Sequence, residues 1–446
     1  MKSKLILTLL LFASILQAQD QKESFSFTLE QAIEHAIKNN YSVINANRDV
    51  EAAKQKKWET TTIGLPQING NVAYQNNFQI QRSIVPAEFF GGQPGEFAEV
   101  AFGTKHTMAA SATLSQLIFD GSYLVGLQSA KTYLQISENA KIKTAQQIRE
   151  MVINSYGNVL LADESISILQ KNKTILEKTL SDTREIYKNG FIEEENVEQL
   201  QINLSTVNSS LENVKRQKTI AIDMLKLLLG IKLESELVIT DKLETLTQNN
   251  VDLVLLKEEF NVNNNIDYQI GQNALKSKEL LLKLERSKAL PSLGAAVNFG
   301  YNAFNDEFQF FSQNQKWLNY SNLGLNLNIP IFSSGGRSSR TQQARIALEQ
   351  SKTQLTETEQ KLKLEFERAK SDYEFSLEQL TTSKSNLNLA ERIENKNQIK
   401  FKEGLSSSFD LTQAQEQLYA AQQRYLEAML SVINKKAALE KLFNKN

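Results

Sequence analysis

The amino-acid sequence predicts a mixed α and transmembrane-β fold, in which four β-strands per chain are continued by long coiled-coil helices. The segment Leu323–Ile329 alternates strictly between apolar and polar residues, which is the period of a β-strand. The stretch from Arg337 to Glu403 then contains no Gly and no Pro, and its apolar residues recur at spacings of three and four. At ~1.5 Å rise per residue, this stretch predicts a helix on the order of 100 Å long. The same succession of patterns occurs twice along the chain.

Three further segments alternate in the manner of Leu323–Ile329. They are Gln67–Gln81, Thr107–Ile118 and Leu293–Asn302. Each has one apolar face, and the opposite face carries small, amide or hydroxyl residues in place of charges. Tilted strands of ~9–11 residues are long enough to cross a bilayer. Four such segments predict a membrane β-barrel, whereas a soluble hairpin is the alternative for any one of them alone.

Four strands are too few to close a barrel, and an open sheet edge is not tolerated in lipid. Closure therefore requires several chains, and three copies supply twelve strands, which is wide enough for a lumen. We expect the long helices to follow the same symmetry. Their thin apolar stripe and polar flanks favour a closed ring of helices with water on both sides.

The sequence contains an internal repeat. Phe119 recurs as Phe332, and Gly190 recurs as Gly404 at almost the same offset along the chain. Apolar residues spaced 3-4-3-4-3 run from Val197 to Val214 and recur from Leu411 to Ala428, which is the pattern of a coiled-coil seam. We predict a signal peptide over residues 1–18, a first repeat over 19–248 and a second over 249–446. Each repeat contains a helix, a strand, a loop, a strand, a long helix and a return helix.

The signal peptide is predicted from Lys2 and Lys4, the apolar run Leu5–Leu16, and Gln17-Ala18 before the expected cut. Twelve apolar residues are too few to span a bilayer, which requires ~20. The second repeat is expected to open with a short helix near Asn249–Phe260. The chain contains no Cys, so an exported protein of this sequence must be held together by packing alone.

Composition argues against several function classes. The formal net charge is −1, and removal of residues 1–18 with Lys2 and Lys4 lowers it to −3, which gives no support for a nucleic-acid partner. With only His35 and His106 and no Cys, one chain cannot build a His/Cys zinc site. The Gly-rich segment Gly91–Gly95 lacks the Lys-Ser/Thr ending of a phosphate loop. We therefore predict no enzyme, no cofactor and no metal site, with a Ser–His hydrolase pair as the catalytic alternative.

The ends of the two long helices carry the most informative local signals. Gly190 and Gly404 each follow a long helix, where a left-handed residue commonly ends a helix and reverses the chain. Asp410 lies three residues after Ser407, which predicts a capping box at the start of the return helix. Glu193–Glu195 occupy the comparable place in the first repeat, where the helix dipole favours acidic residues. Loops at the end of a stiff scaffold often carry contacts.

The sequence resembles the TolC-like outer-membrane efflux protein family over Thr28–Phe443. The resemblance is carried by the opening Leu29–Asn40, by Leu290-Pro291 before a strand, and by Phe401–Gln415 around the second turn. It implies a homotrimeric duct with a twelve-stranded barrel in outer-membrane lipid and a long α-helical tunnel across the periplasm. It also implies docking of the helical turns on a periplasmic adaptor (membrane fusion) protein, which joins the duct to an inner-membrane transporter. The function implied is the exit duct of a tripartite efflux or type I secretion system.

The resemblance also implies two groups of site residues. The docking turns comprise Asn189, Gly190, Phe191, Gly404, Leu405 and Ser406. The candidate aperture comprises Glu193, Glu194, Glu195, Asn196, Phe401, Asp410 and Gln413. Phe401, Ser406 and Gln413 stand where well-known family members carry a Tyr, an Arg and a second Asp. The polar lock that those three residues would form is therefore not expected here.

The sequence leaves two alternative functions open. A secreted coiled-coil scaffold without channel activity would explain the long helices, but it has no need for four amphipathic strands at matched positions. A duct for secreted polypeptides, in place of drugs or metal ions, would carry the same patterns, because the transporter and the adaptor select the cargo.

Overall fold

The computed structural model describes residues 23–444, so the predicted signal peptide lies outside the described residues. The chain divides into two compact units. The first unit has three segments: the chain up to Val50, Ser137–Gln272, and the chain from Gln354 onward. The second unit has two segments, Glu51–Ile136 and Asn273–Thr353. Each unit takes segments from both predicted repeats, and the boundaries 19–248 and 249–446 stay a prediction.

Apart from the short helix expected near Asn249–Phe260, the helices follow the predicted order. The described residues form the α-helices α1 (Leu29–Asn39), α2 (Tyr41–Thr62), α3 (Gly121–Lys188), α4 (Glu194–Leu229), α5 (Leu243–Asn249), α6 (Ile266–Ser287), α7 (Gly336–Lys402) and α8 (Ser408–Leu442). The long helices α3 and α7 contain 68 and 67 residues. Their lengths confirm the two uninterrupted helices that the periodicity predicts. Among residues 23–444, no helix combines the length and apolar character needed to span a bilayer.

The strands include all four that alternation predicts. The described strands are β1 (Ser24–Phe27), β2 (Gln67–Asn76), β3 (Arg82–Pro86), β4 (Phe97–Ala101), β5 (His106–Asp120), β6 (Glu236–Ile239), β7 (Ser292–Asn305) and β8 (Trp317–Asn328). β2, β5, β7 and β8 form one antiparallel sheet in the order β2-β5-β7-β8. The strand–long-helix succession appears in both halves of the chain, which confirms the two-repeat plan.

The register of this sheet separates a polar face from an apolar face. Asn69, Thr113, Asn298 and Asn322 lie at one level across the four strands. The Thr113 hydroxyl donates to Asn298 Oδ1 at 2.7 Å, and Asn298 Nδ2 donates to Asn322 Oδ1 at 2.9 Å. On the opposite face, Val72 is 72% exposed and Leu323 is 68% exposed. An apolar face of this kind would be covered by a core in a water-soluble sheet, and here none of the described residues covers it.

The segments that join the sheet strands carry aromatic side chains. Between β2 and β5, the loop expected in the first repeat contains a hairpin of β3 and β4 with a short 3₁₀ helix, Ala87–Phe90, just before Gly91–Gly95. His106 is buried at the start of β5, with its Nδ1 2.8 Å from the Tyr74 hydroxyl and with the Phe308 ring nearby. These contacts give His106 a packing role.

The core of the first unit gathers around α3. Ala32, Ala36, Tyr156, Leu229 and Ile433 are buried in one cluster that joins α1, α3, α4 and α8. The Tyr156 hydroxyl lies 3.0 Å from the Phe27 carbonyl oxygen and 2.9 Å from Asp241 Oδ2. Burial is the main cause that raises the pKa of Tyr156, so the hydroxyl keeps its proton at neutral pH.

Tyr373 on α7 is also fully buried, and its hydroxyl also binds backbone groups. Its hydroxyl donates to the Asn250 carbonyl oxygen at 2.7 Å and accepts the Asp252 N–H at 2.8 Å. These bonds help explain why the short helix predicted near Asn249–Phe260 is wrong. Asp252 also accepts the Val254 N–H at 2.9 Å. Between residues 250 and 260 the described helical structure is one 3₁₀ turn, Leu255–Lys257. Side-chain acceptors thus compete with helical hydrogen bonding in this segment.

Candidate functional site

The first candidate turn joins α3 to α4. Gly190 has φ +78°, in the left-handed region that favours glycine. The Gly190 N–H donates to the Tyr187 carbonyl at 2.8 Å, and the Phe191 N–H donates to the Ile186 carbonyl at 3.2 Å. This pair of bonds is a Schellman motif, which satisfies the last carbonyls of a helix.

The second candidate turn joins α7 to α8 and has the same geometry. Gly404 has φ +70°, and its N–H donates to the Phe401 carbonyl at 3.1 Å. The Leu405 N–H donates to the Lys400 carbonyl at 2.7 Å. The two glycines that the sequence places at equivalent points of the repeat therefore end their helices in the same way.

Each turn presents an apolar side chain directly after its glycine. Phe191 is 81% exposed and Leu405 is 76% exposed. Asn189 and both glycines are also exposed, whereas Ser406 is half-buried. The Ser406 hydroxyl has no hydrogen-bond partner within residues 23–444. Five of the six residues predicted for docking are thus accessible in the single chain.

The start of α8 is a complete capping box. The Asp410 N–H donates to Ser407 Oγ at 3.2 Å, and the Ser407 N–H donates to Asp410 Oδ2 at 3.0 Å. Hydrogen bonds from the Ser407 backbone and side chain lower the pKa of Asp410. The carboxylate is therefore charged at neutral pH, and it holds the helix start together. The capping box that the sequence predicts is confirmed.

The start of α4 is built differently. Glu193 is the N-cap residue without a side-chain capping bond, and Glu194 and Glu195 lie exposed in the first turn. The carboxamide oxygen of Asn196 accepts the N–H of Ser408, the first residue of α8, at 3.1 Å. Asn196 thus satisfies a backbone donor that helix geometry leaves free, and it joins the two return helices.

The remaining aperture residues separate into packed and exposed positions. Phe401 is half-buried against the cluster of Leu176, Leu180 and Leu200. Gln413 is exposed on α8. Within the described part of the chain, neither Asp410 nor Glu193, Glu194 or Glu195 forms a salt bridge. The structure therefore brings Asn196 to the start of α8, places Phe401 in the packing, and leaves the four carboxylates facing solvent.

Sequence reasoning missed the contacts that hold α4 beside α8. Asn203 Nδ2 donates to Gln415 Oε1 at 3.3 Å. The two residues of this pair are 212 positions apart in the sequence, as are Asn196 and Ser408. The constant separation shows that the two return helices run in the same direction and in one register. The offset between the repeats was the available signal, because equivalent segments of a repeat often lie side by side.

Replacement of Asn196 tests the bond that joins the return helices. We expect Asn196→Ala to accelerate hydrogen exchange of the Ser408 amide, because the donor loses its protein acceptor. Asn196→Asp keeps an oxygen at the same place and should retain protection, so it is the matched control. Equal exchange rates in wild type and Asn196→Ala, measured by NMR or mass spectrometry, would contradict this role.

Comparisons with known proteins agree with this architecture. The family described as outer membrane efflux protein matches residues 32–231 and 263–445. VceC, an outer membrane protein of Vibrio cholerae, shares 15% identity and a TM-score of 0.72, with 93% of this chain and 96% of that chain covered. The CmeC outer membrane channel of Campylobacter jejuni shares 17% identity and a TM-score of 0.72, with coverage of 94% and 85%.

A structure of CusC, described for its transmembrane channel formation, gives a TM-score of 0.75 at 16% identity over 96% of this chain and 94% of that chain. No curated protein sequence matches this one. The family match covers well over half of the chain, and the scaffold alternative receives no support. The chain belongs to the outer membrane efflux protein family, the outer-membrane exit ducts of tripartite efflux systems with a helical part in the periplasm.

Proposed function

We propose that three copies of this chain form a passive exit duct, which a periplasmic adaptor protein connects to an inner-membrane transporter. The observation that carries the proposal is the four-stranded sheet, which has an exposed apolar face and two unpaired edges, β2 and β8. Edge strands expose a row of backbone donors and acceptors, and these have no water to bind in hydrocarbon. Another copy of the chain supplies the missing strand at each edge.

The direction of the strands fits this closure. β2 and β8 run antiparallel to one another, because three antiparallel pairings separate them in the sheet. β8 of one copy can therefore pair with β2 of the next copy and continue the antiparallel order around a ring. Three copies give a twelve-stranded barrel, whose polar faces of Asn and Thr would line the lumen.

The duct itself performs no chemistry in this proposal. It is not an enzyme, it requires no cofactor, metal or nucleic acid, and its outer surface in the membrane contacts lipid. The transporter supplies the energy, and the transporter and the adaptor select the cargo. Such a duct requires a surface that the adaptor recognises and an aperture that limits leakage.

We assign adaptor docking to the two turns. Phe191 and Leu405 are exposed at matching positions, and the Schellman motifs hold their backbones rigidly. Rigid apolar anchors bind at a low entropic cost, since little backbone freedom is lost on binding. The matching geometry offers the adaptor two similar sites per chain.

Gly404 provides a test of docking. Gly404→Pro cannot keep φ at +70°, because the proline ring confines φ to negative values. We expect this variant to form the trimer and to lose adaptor binding in a pull-down with an adaptor encoded beside the duct gene. Gly404→Asn tolerates the left-handed region and is the control that should still bind. Normal adaptor binding by Gly404→Pro would exclude the turn from the docking surface.

We propose that the aperture is closed mainly by packing and that its mouth is acidic. The positions where well-known family members carry a polar lock hold Phe401, Ser406 and Gln413. Phe401 packs against an apolar cluster, and the contacts between α4 and α8 are neutral hydrogen bonds. In a trimer, Asp410 and Glu193–Glu195 each occur three times. This concentration of negative charge would favour cations over anions.

Single-channel recordings in a salt gradient measure this preference. We expect a reversal potential that indicates cation selectivity and that weakens with salt, because the screening length falls from ~10 Å at 0.1 M to ~3 Å at 1 M. Asp410→Asn combined with glutamine at Glu193, Glu194 and Glu195 should remove most of the selectivity. A control with glutamine at four exposed glutamates of α7 should retain it; these are Glu365, Glu367, Glu374 and Glu378. An unchanged reversal potential in the first variant would show that these carboxylates are not at the aperture.

A further inference from the structure

A cavity of about 120 Å³ lies within the first unit, between α3, α4, α7 and α8. Its lining includes the apolar side chains of Leu169, Ile175, Leu176, Val207 and Leu418. A dry cavity of ~150 Å³ lined by such side chains is large enough to bind benzene. The cavity between these helices is slightly smaller than that, so one aromatic ring is about the largest group that it would hold.

The lining of the same cavity also includes acidic residues. Glu394 of α7 and Glu416 of α8 line it together with Tyr419, and no Lys or Arg is among the described residues that form its lining. Glu394 is half-buried, and burial raises its pKa, with Lys402 as the smaller opposing influence. Burial also raises the pKa of Tyr419, so this hydroxyl stays neutral. Acidic groups thus line the cavity, and the cationic Lys402 that acts on Glu394 is not among the described lining residues. A cationic ligand at Glu394 would favour the charged form of this carboxyl group, against the effect of burial.

The apolar and the acidic lining residues together define the chemistry of a ligand. An apolar wall gains free energy from a buried ring, at about 25 cal/mol per Å² of apolar surface. A half-buried carboxylate is best satisfied by a charged hydrogen-bond donor, and an aromatic ring such as that of Tyr419 also attracts cations. Concave sites with apolar walls and a few polar groups are typical of small-molecule binding.

We propose that this cavity binds an aromatic primary ammonium ion, with the ring against Leu176 and Val207 and the ammonium group at Glu394. Asn203 and Gln415, which also line the cavity, are bonded to one another across α4 and α8. A ligand in this place would contact both return helices and would strengthen their association. The site is separate from the docking turns, and the proposal does not depend on the cargo of the duct.

The binding test uses the intact assembly in detergent and ¹⁹F NMR with two probes of the same shape. We expect 4-fluorobenzylamine, which is protonated at neutral pH, to bind saturably and at least tenfold more tightly than 4-fluorobenzyl alcohol. Glu394→Gln removes the charge with little change in shape, so it should weaken amine binding at least tenfold and leave the alcohol unchanged. Glu378→Gln, at an exposed position of the same helix, is the control that should bind as wild type.

A second pair of variants tests the place of binding. Ser210 lines the cavity, and Ser210→Leu should fill it and abolish binding of the amine while both carboxylates remain. The neighbouring Ser209 is exposed, and Ser209→Leu should have no effect. The proposal is overturned if wild type shows no saturable binding, if Glu394→Gln binds the amine as wild type does, or if the two leucine variants bind equally.

Discussion

The hydrogen bonds that are missing at the edges of one β-sheet constrain the rest of this protein. Strands β2 and β8 each pair on one side only, and the same sheet exposes Val72 and Leu323 on an apolar face. Lipid can cover the apolar face, but it cannot satisfy the backbone N–H and C=O groups at the edges, each of which would cost several kcal/mol. A single chain is therefore incomplete in a membrane, and the proposed trimer follows from this deficit.

A duplicated unit explains the arrangement of the helical turns. Gly190 and Gly404 end α3 and α7 with the same pair of hydrogen bonds, and the return helices α4 and α8 lie in parallel register. Contacts between the return helices are neutral and involve Asn196, Asn203 and Gln415. Neutral hydrogen bonds between packed helices can be exchanged for water at a modest cost of ~0.5–1.5 kcal/mol each. In the aperture that we propose, opening would then require no separation of buried charges.

The parts of this fold that sequence predicts are those with a local, periodic cause. Alternation located the four sheet strands, the absence of Gly and Pro located α7, and Ser407 with Asp410 located the start of α8. The parallel pair β1–β6 was not predicted, because strands this short show no visible period. The helix expected near Asn249–Phe260 was wrong, because Tyr373, which is distant in the sequence, binds the backbone there.

The candidate site was predictable to a smaller extent. The two turns follow from their glycines, but the Asn196–Ser408 bond and the cavity at Glu394 depend on side chains that come together from the two halves of the chain. Phe401 shows why sequence alone does not assign the aperture. The family resemblance places this residue at an aperture position, and in the structure it packs against Leu176 and Leu200. Its assignment to the aperture, like that of the acidic residues, stays a prediction.

Disulfide cross-linking between copies tests the closure of the barrel most directly, because the natural chain contains no Cys. Asn71→Cys in β2 is combined with cysteine at each of residues 318–326 in β8, one position at a time. Within one chain the two strands are three strand spacings apart, ~14 Å, so any disulfide must join two copies. Asn71 shares its face of the sheet with Tyr320 and hence with the even-numbered positions of β8. We predict covalent trimers from even-numbered positions only; equal cross-linking at odd and even positions, or none at any position, would contradict the closure of the barrel by β2 and β8.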